Sequence, residues 1–515
     1  MLAGRNIWEL VTKRAAESPD VVMTIDDAGT EMTYAQYRDA AERAAAGLAA
    51  DHGIGAGDVV TWMLPTWHSS LVLIAALCRL GAVQNPIIPI YRDREVGFIT
   101  AQAGSKLLIV PGEWRGFDYV DMGERVREAN GSDMAILTAS PDLPDGDAAS
   151  LPAAPEVPET RADEPVTWLM YTSGTTSDPK GAQHSDGDII VTARGMCDCL
   201  GCVEGDRNLM AFPVTHIAGA IWLCSSLMYP LSNVITEGFN PTETPLLASR
   251  HDVTMAGSAT FFHMAYLAAQ RAHGEEKLFP HLRNCPGGGA PKPPQLHYDI
   301  QAELGGQGII SGWGLTEAPI LTMSHVQDPD DKLAHTEGRP MPGVQLRAVS
   351  PADGRVVGAN EEGELQAKAP QLMRGYLDES LNADGYEDGW FRTGDLGVID
   401  EQGYVRITGR LKDVIIRKGE NVSAKEVEDL LYEHERVRDV AVVGVPDDER
   451  GEMVVAVLAL EAEAEPLDMA EMQEFLRGKG LRNQALPERL EHVDELPRNA
   501  TGKIVKNELR DRFSD

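Results

Sequence analysis

The stretch TSGTTSDPKG, Thr172–Gly181, guides the interpretation of the whole sequence. Residues 166–171, VTWLMY, are apolar and rich in types that favour strands, so we predict that this loop leaves the end of a strand. A helix is predicted from Asp188 onward. A loop with hydroxyls, free backbone N–H groups and Lys180 suits a phosphate chain, although a mobile surface turn can have the same composition.

The 515-residue length predicts two to four domains of ~150 residues, and 43% hydrophobic residues suffice for sizeable cores. The formal charge of −34 argues against nucleic-acid binding and against adhesion to anionic membranes. The first residues lack the apolar core of a signal peptide. The longest apolar run, Ser70–Val83, is interrupted by Arg79 and is too short to span a bilayer. We therefore expect a cytoplasmic protein without an integral membrane segment.

Strand and helix patterns alternate at the start of the chain. Helical spacing covers Ile7–Ala16 and Tyr34–Ala49, a buried strand is predicted at Val59–Leu64, and a helix at Ser69–Leu80 is expected to end at Gly81. This alternation predicts a parallel α/β layer. Short strands separated by glycines predict a small β subdomain over roughly residues 335–405.

Three cysteines lie close together in the sequence CDCLGC, at Cys197, Cys199 and Cys202. They can be interpreted as a metal site or as reduced thiols near a helix end. We favour thiols, because no second ligand cluster with zinc-like spacing accompanies them.

Further motifs follow the first loop in order, and each has an ordinary structural interpretation when taken alone. His216 in FPVTHIAG can be a structural histidine, GGGAP (287–291) a tight turn, and Asp395 in WFRTGD a turn aspartate. In GWGLTE, the Glu317 carboxylate suits magnesium, a hard cation that prefers oxygen ligands. Lys503, in LPRNATGKI, can equally lie in a surface turn.

Taken together in this order, the motifs resemble those of the adenylate-forming superfamily, which includes acyl-CoA synthetases, luciferases and peptide-synthetase adenylation domains. The resemblance covers nearly the whole chain and is strongest to the fatty-acid–CoA ligases. The chain departs from the usual pattern at Ser177, where the family has Gly, and at Trp313, where it has Tyr. A planar ring for adenine stacking is retained at Trp313.

The resemblance implies roles for individual residues. Lys503 enters the active site and contacts the attacking oxygen and the α-phosphate, His216 lies against the substrate carboxylate, and Thr316 and Glu317 serve a phosphate oxygen and Mg2+. Asp395 binds the ribose hydroxyls. The other implied nucleotide-binding or hinge residues are Thr172, Ser173, Gly174, Thr175, Thr176, Lys180, Gly288, Gly289, Ala290, Pro291, Gly312, Trp313, Gly314, Arg410, Lys412, Lys418 and Gly419.

The implied fold is of the α/β class and like that of acetyl-CoA synthetase. A large N-terminal AMP-binding domain, residues 1–409, contains two α/β subdomains and a distorted β-barrel. A small mobile α+β domain, residues 410–515, rotates about Lys412. The family's charged loop at 417–422 faces the nucleotide in one domain pose, although a solvated turn would look the same.

The implied activity is an AMP-forming acid–thiol ligase that uses ATP, Mg2+ and coenzyme A. Residues 212–219 contain no acid to pair with an α-ammonium, so a carboxylic acid without an amine is expected. Small residues at 256–259 favour a hydrophobic acid of medium to long chain, or an alicyclic or steroid-derived one. The alternatives are a ligase that loads a separate carrier protein and a catalytically silent nucleotide-binding protein. A homodimer is a reasonable default.

Overall fold

A computed structural model describes residues 1–139, 142–172, 178–290, 292–418, 420–447, 450–462, 464–499 and 502–514. Strands and helices alternate through the first of these ranges, as the sequence pattern predicts. The elements are α1 Ile7–Glu17, β1 Val22–Ile25, β2 Glu31–Thr33, α2 Tyr34–His52, β3 Val59–Trp62, α3 His68–Leu80, β4 Val83–Pro86, α4 Asp93–Ala103, β5 Leu107–Val110, β6 Glu113–Trp114, β7 Phe117–Asp118, α5 Tyr119–Asn130 and β8 Ala135–Thr138.

The next segment carries most of the predicted nucleotide motifs. Its elements are β9 Trp168–Thr172, β10 Lys180–His184, α6 Asp186–Leu200, β11 Arg207–Met210, α7 Ile217–Met228, β12 Ser232–Ile235, α8 Thr244–Arg250, β13 Met255–Ala256, α9 Thr260–His273, β14 Cys285–Gly288, α10 Pro294–Asp299, β15 Ile309–Trp313, β16 Thr322–Met323 and α11 Asp330–His335.

Two sheets form the α/β layers of the large domain. The first has the order β10-β9-β4-β3-β5-β8, in which β3 is parallel to β4 and β5, as predicted. The second has the order β13-β11-β12-β1-β2, so the N-terminal β1 inserts beside strands from far along the chain. Helices between the strands, among them α2, α3, α6 and α7, bury apolar faces in one shared core. That core fixes the two sheets relative to one another.

An antiparallel sheet follows, close to the predicted β subdomain. Its elements and those leading into it are β17 Arg339–Pro340, β18 Gln345–Val349, β19 Glu362–Lys368, α12 Asn382–Gly385, β20 Tyr386–Glu387, β21 Trp390–Ile399 and β22 Val405–Arg410. The order is β18-β19-β21-β20, with β22 pairing with β21. A separate core that includes Trp313 and Tyr376 joins this sheet to the first one.

The last hundred residues build a small α+β unit with cores of its own. The elements are β23 Val414–Arg417, β24 Glu420–Ser423, α13 Ala424–Tyr432, β25 Val437–Asp447, β26 Gly451–Leu460, α14 Met469–Gly478, β27 Arg489–His492 and α15 Lys506–Phe513. The chain crosses from β22 to β23 through a short helical turn, Leu411–Asp413, which contains Lys412. This turn is the connection where the sequence places the hinge.

One local expectation is corrected, and the turn alternative for Asp395 is excluded. A helix was expected to follow the loop after β9 directly, but β10 intervenes and pairs antiparallel with β9, with Lys180 opposite Thr172. The helix then begins at Asp186, because Ser185 caps it by accepting a hydrogen bond from the backbone N–H of Asp188. Asp395 does not lie in a turn: it is inside the ten-residue strand β21.

The cysteine group has a packing explanation at the end of α6. Gly201, with φ +59°, ends the helix, and the backbone N–H of Cys202 donates to the carbonyl of Cys197 over 3.0 Å. This six-residue closure normally brings two apolar side chains together, and here the buried Cys197 and Cys202 occupy those positions. Cys197, Cys199 and Cys202 are free thiols.

Within the described ranges, no helix is both long and apolar enough to cross a lipid bilayer.

Candidate active site

The hairpin of β9 and β10 brings Lys180 beside Tyr376. The residues around Tyr376 pair with the outer edge of β10, because Leu377 donates its backbone N–H to the carbonyl of Gly181 over 2.8 Å. The Nζ atom of Lys180 lies 5.5 Å from the centre of the Tyr376 ring. This distance allows a cation–π attraction that holds the ammonium at the end of the loop.

Glu317 and Thr316, which follow β15, are tied to the same hairpin. The Tyr376 hydroxyl donates to Oε1 of Glu317 over 2.8 Å, and the carbonyl of Thr316 lies 2.8 Å from Nε2 of the buried His184. A carboxylate that is oriented by a neighbouring hydroxyl is suited to hold a hard cation. Tyr376 and His184 were missed from the sequence, because only the long-range pairing of β10 places them here.

Replacing Tyr376 with phenylalanine is expected to weaken the apparent affinity for Mg2+. The change removes the hydroxyl that orients Glu317 and leaves the ring beneath Lys180, so we expect about 1 kcal/mol of loss, or roughly fivefold weaker apparent Mg2+ affinity. The measurement is the Mg2+ dependence of acid-stimulated pyrophosphate release. Tyr404→Phe, which removes a hydroxyl bonded to Asp328 at 2.8 Å, is the matched control. Equal Mg2+ dependence in both variants would contradict the role.

The glycine stretch 287–289 belongs to a parallel strand pair rather than to a free turn. β14 lies beside β15, with Gly288 opposite Gly312. A Cβ at Gly288 would lie 2.9 Å from the carbonyl oxygen of Gly312, and a Cβ at Gly314 would lie 2.3 Å from the backbone nitrogen of Ile320. These glycines permit close backbone packing. Gly289, at φ +75°, then turns the chain out of the strand towards Ala290.

Asp395 is buried and already has two partners. Nε1 of Trp313 donates to its Oδ2 over 2.8 Å, and Nε of Arg410 lies 2.8 Å from its Oδ1. Asp395 and Arg410 are directly opposite on β21 and β22. Each carboxylate oxygen has a second lone pair, so Asp395 can still accept from a ligand. Trp313 is only 7% exposed, which leaves little of its ring free to contact a base.

His216 has the structural role that the sequence left open, and its contact with a substrate carboxylate stays a prediction. It precedes α7, and its Nδ1 accepts a hydrogen bond from the backbone N–H of Ala218 over 3.2 Å. Burial, assisted by the charge of Lys503, lowers the pKa of His216 to about 4. The ring is therefore neutral near pH 7, with its proton on Nε2, and it can donate to an anionic oxygen.

His216 and Thr316 border one small cavity of ≈ 20 Å³. Most of the remaining lining is apolar, including Ile87, Met170 and Ile217. A cavity of this size holds about one water molecule. It suits a small polar group next to His216 rather than an alkyl chain.

Lys503 reaches this group from the small domain. Its Cε lies 3.7 Å from the position that a Cβ on Gly289 would occupy. Its ammonium is close enough to interact electrostatically with Glu317, Asp395 and Arg410. The structure therefore brings the last motif of the chain into contact with motifs of the large domain that lie some 200 residues earlier.

The surroundings of Lys503 disfavour its charge in the absence of a ligand. Burial is the main cause, and Arg410 adds repulsion, so that the pKa of Lys503 falls to about 8, although Asp395 and Glu317 oppose the fall. A bound polyanion would reverse this balance. The cationic side chains of Lys503, Arg410 and Lys412 lie near one another in an otherwise acidic protein, and they fit such a ligand.

The lowered pKa of Lys503 predicts how adenylate formation, the first step expected of an AMP-forming ligase, depends on pH. If the ammonium form of Lys503 acts, kcat/KM for adenylate formation should fall about tenfold per pH unit above pH about 8, because that constant reports the free enzyme. An ordinary lysine would cause this fall only above about pH 10. The measurement is acid-dependent pyrophosphate release between pH 6 and 10. A Lys503→Arg variant with residual activity should lose the alkaline fall, and a fall that persists in it would contradict the assignment.

Several predicted site residues lie outside the described residues, and one lies away from the group around Glu317. Ser173, Gly174, Thr175, Thr176, Pro291 and Gly419 lie outside the described residues. Lys418 lies between β23 and β24, where its backbone N–H donates to the carbonyl of Arg450 over 2.7 Å. This contact places Lys418 in the small domain's own hairpin rather than in the group around Glu317.

A hairpin that presents Lys180, a carboxylate suited to a metal and a lysine supplied by a second domain together fit the class of adenylate-forming enzymes. Family comparison agrees: the AMP-binding enzyme family matches residues 11–377, and the AMP-binding enzyme C-terminal domain matches residues 426–503. The chain belongs to this family, within the adenylate-forming superfamily, and is an acid–thiol ligase.

Similar proteins support the same class. The medium-chain fatty-acid–CoA ligase of Escherichia coli K12 is 29% identical, covering 96% of this chain and 88% of the relative. The 2-succinylbenzoate–CoA ligase of Bacillus subtilis 168 is 28% identical, covering 99% of both chains. The crystal structure of ATP-bound MatB from Rhodopseudomonas palustris superimposes with a TM-score of 0.87 at 27% identity, covering 99% of both chains. The predicted fold, a large N-terminal domain and a small C-terminal domain, is thereby confirmed.

Proposed function

We propose that this chain joins a carboxylic acid to coenzyme A through an acyl-adenylate. The observation that carries the proposal is the contact of Lys503 with Gly289, within electrostatic range of Glu317 and Asp395. A lysine of the small domain that reaches nucleotide motifs of the large domain is what the first half-reaction requires. We also propose the domain boundary at residues 409 and 410, one residue before the turn Leu411–Asp413.

In the first half-reaction, a carboxylate oxygen attacks the α-phosphorus of ATP, and the bond to pyrophosphate breaks. Lys503 contacts the attacking oxygen and the α-phosphate, where negative charges come together in the transition state. His216 donates from Nε2 to the substrate carboxylate, and Lys180 cradles the phosphates with Thr172. Mg2+, which Glu317 would hold, offsets phosphate charge.

In the second half-reaction, the thiol of coenzyme A attacks the acyl carbon and AMP leaves. Lys503 occupies the space beside the nucleotide in the present arrangement, so it must withdraw before a thiol can enter. The short turn at Lys412 joins β22 to β23 and can absorb the backbone rotation. Asp395 belongs to the large-domain sheet and keeps the adenylate in place while the small domain moves. Arg410, the first residue after the proposed boundary, ends β22 opposite Asp395.

For the acid, we propose a hydrophobic carboxylic acid without an α-amine. Residues 212–219 offer no carboxylate to pair with an ammonium, and the small cavity beside His216 has room for the carboxylate of the acid rather than for its apolar part. Residues 256–259 are small, and they leave room for such an acid where the family resemblance places the acyl tunnel. Relatives are named for a medium-chain fatty acid and for 2-succinylbenzoate, so the acid itself has to be measured.

The test is incubation of the full chain with ATP, Mg2+, coenzyme A and a panel of acids. The panel should hold fatty acids of graded length, alicyclic and steroid-derived acids, aromatic acids, acetate and an amino acid. Acyl-CoA and AMP are quantified by mass spectrometry, and we expect equal amounts of both with the hydrophobic acids. Acyl-adenylate that accumulates without thioester would instead indicate transfer to a carrier protein. Formation of ADP would contradict the proposed chemistry.

A further inference from the structure

We propose that Arg498 is a positioning residue. By docking on the ring of Phe261, it holds the Lys503 hairpin in the position that adenylate formation requires. The inference rests on the proposed function, and it adds a residue that acts in only one of the two half-reactions.

Residues 498–499 and 502–504 pair with one another, and together they form the Lys503 hairpin. Arg498 and Ile504 form an antiparallel bridge at its base. The backbone N–H of Asn499 donates to the carbonyl of Lys503 over 2.9 Å, and the Asn499 side chain accepts from the N–H of Lys503 over 3.0 Å. The position of Lys503 therefore follows the position of this hairpin as a unit.

Arg498 fixes the hairpin to the body of the small domain. Its Nη2 donates to Oδ2 of Asp439 over 2.5 Å, and its Nη1 donates to the carbonyl of Gly502 over 2.5 Å. The side chains of Arg498 and Asp439 are only 14% and 17% exposed, so this pair is shielded from water. The Gly502 carbonyl belongs to the peptide bond that precedes Lys503. All of these partners belong to the small domain and move with it.

The third contact of Arg498 crosses to the large domain. The guanidinium carbon lies 5.1 Å from the centre of the Phe261 ring, at the start of α9. The backbone of the hairpin rests on the same ring, since a Cβ at Gly502 would lie 3.2 Å from the Cβ of Phe261. Phe239 and Phe262 each contact the Phe261 ring edge to face, with centres 5.6 Å away. Phe261 is thus a braced surface on which the hairpin docks.

This docking contact exists only while Lys503 is in the site. When the small domain rotates, Arg498 keeps Asp439 and the Gly502 carbonyl but leaves Phe261. Removing the ring should therefore shift the domain equilibrium away from the adenylate-forming arrangement. Adenylate formation should slow, while thioester formation from adenylate that is already made should not.

The test uses the full chain and two pairs of variants. Phe261→Leu removes the ring and keeps apolar volume, whereas Phe261→Tyr keeps the ring. Arg498→Gln removes the charge, and Arg438→Gln is its control, because Arg438 is only partly buried and donates to the carbonyl of Asp494 inside the small domain. Acid-dependent exchange of pyrophosphate into ATP reports the first step at saturating acid. Thioester formation from preformed acyl-adenylate and coenzyme A reports the second.

We expect Phe261→Leu and Arg498→Gln to lower the exchange rate about tenfold, the effect of losing one shielded cation–π contact. Thioester formation should change less than about twofold, and Phe261→Tyr and Arg438→Gln should match the parent in both assays. An equal loss in both half-reactions would show a general structural role and overturn the inference. Unchanged exchange in Phe261→Leu would overturn it as well.

A second measurement does not depend on the proposed chemistry. In the chain without ligands, hydrogen exchange of the peptide that contains residues 502–505 should be faster in Phe261→Leu than in the parent and in Phe261→Tyr. Equal exchange in all three would overturn the docking contact. If the parent chain made neither adenylate nor thioester, the proposed function would fail, and this measurement would still decide whether the hairpin docks on Phe261.

Discussion

Replacing Lys503 with alanine is expected to slow acid-dependent adenylate formation by roughly 100-fold or more, which corresponds to about 3 kcal/mol of transition-state stabilisation. The substitution removes the cation that the small domain delivers beside Glu317 and Asp395. It leaves those two carboxylates in place, so repulsion of the phosphates adds to the loss. The rate of pyrophosphate exchange into ATP, measured with a saturating acid, is the direct readout.

The same variant should convert preformed acyl-adenylate and coenzyme A to thioester at close to the parent rate, because Lys503 has withdrawn by then. Lys479→Ala is the control for removing a small-domain lysine, since Lys479 is paired at the surface with Glu433 at 2.7 Å. Equal exchange rates for the Lys503 and Lys479 variants would defeat the role assigned to Lys503.

Replacing Asp395 with alanine is expected to raise the KM for ATP by about 10- to 100-fold, or roughly 1.4 to 2.8 kcal/mol. The change removes the proposed ribose acceptor, frees Arg410 from its partner and leaves the buried Nε1–H of Trp313 without its acceptor. That last loss should also lower the free energy of unfolding by about 1 to 3 kcal/mol. Initial rates against ATP concentration and a thermal melt measure the two effects.

Asp400→Asn is the matched control for Asp395, because Asp400 follows the same strand β21 and pairs with Lys332 at 2.6 Å. It should change the KM for ATP little. An Asp395→Asn variant keeps an oxygen for Trp313 but presents no negative charge to Arg410, so an intermediate KM is expected. An Asp395→Ala variant with the parent's KM would contradict the ribose assignment.

The sequence pattern predicted the elements whose formation depends on residues close to them in the chain. α3 ends at Gly81, which adopts φ +70°, because glycine reaches the left-handed region without strain. β3 is a continuous buried run, and such runs form the inner strands of parallel sheets. Residues 83–90, with two prolines, suggest an edge strand instead, but β4 lies between β9 and β3. The β9 strand ends at Thr172, where the sequence places the start of the loop.

Other elements depend on distant partners and could not be predicted in this way. β10 has the sequence KGAQH, which lacks β-branched residues, and it forms because β9 and the segment around Tyr376 pair with its two edges. Asp395 follows a glycine and suggests a turn, but pairing with β19 and β22 extends the strand through it. For the same reason, the bonds from Tyr376 to Glu317 and from Trp313 to Asp395 could be found only in the structure.

The candidate site, too, combines features that local sequence indicates with features that depend on distant parts of the chain. The order of the motifs indicates candidate residues for the site. The contact of Lys503 with Gly289, however, depends on how the small domain docks on the large domain. Arg498 lies in the motif LPRNATGKI, but nothing in the sequence pairs it with Phe261. That contact is found only from distances in the structure.

The most direct test is a crystal structure of this chain with a hydrolysis-resistant acyl-adenylate analogue, such as an acyl-sulfamoyl adenosine. The prediction is that the ribose hydroxyls contact Asp395, the adenine lies against residues 288–290, and Nζ of Lys503 is within hydrogen-bonding distance of the linkage that replaces the phosphate. A nucleotide bound away from Asp395, or a Lys503 that stays remote from that linkage in every arrangement of the small domain, would contradict the account.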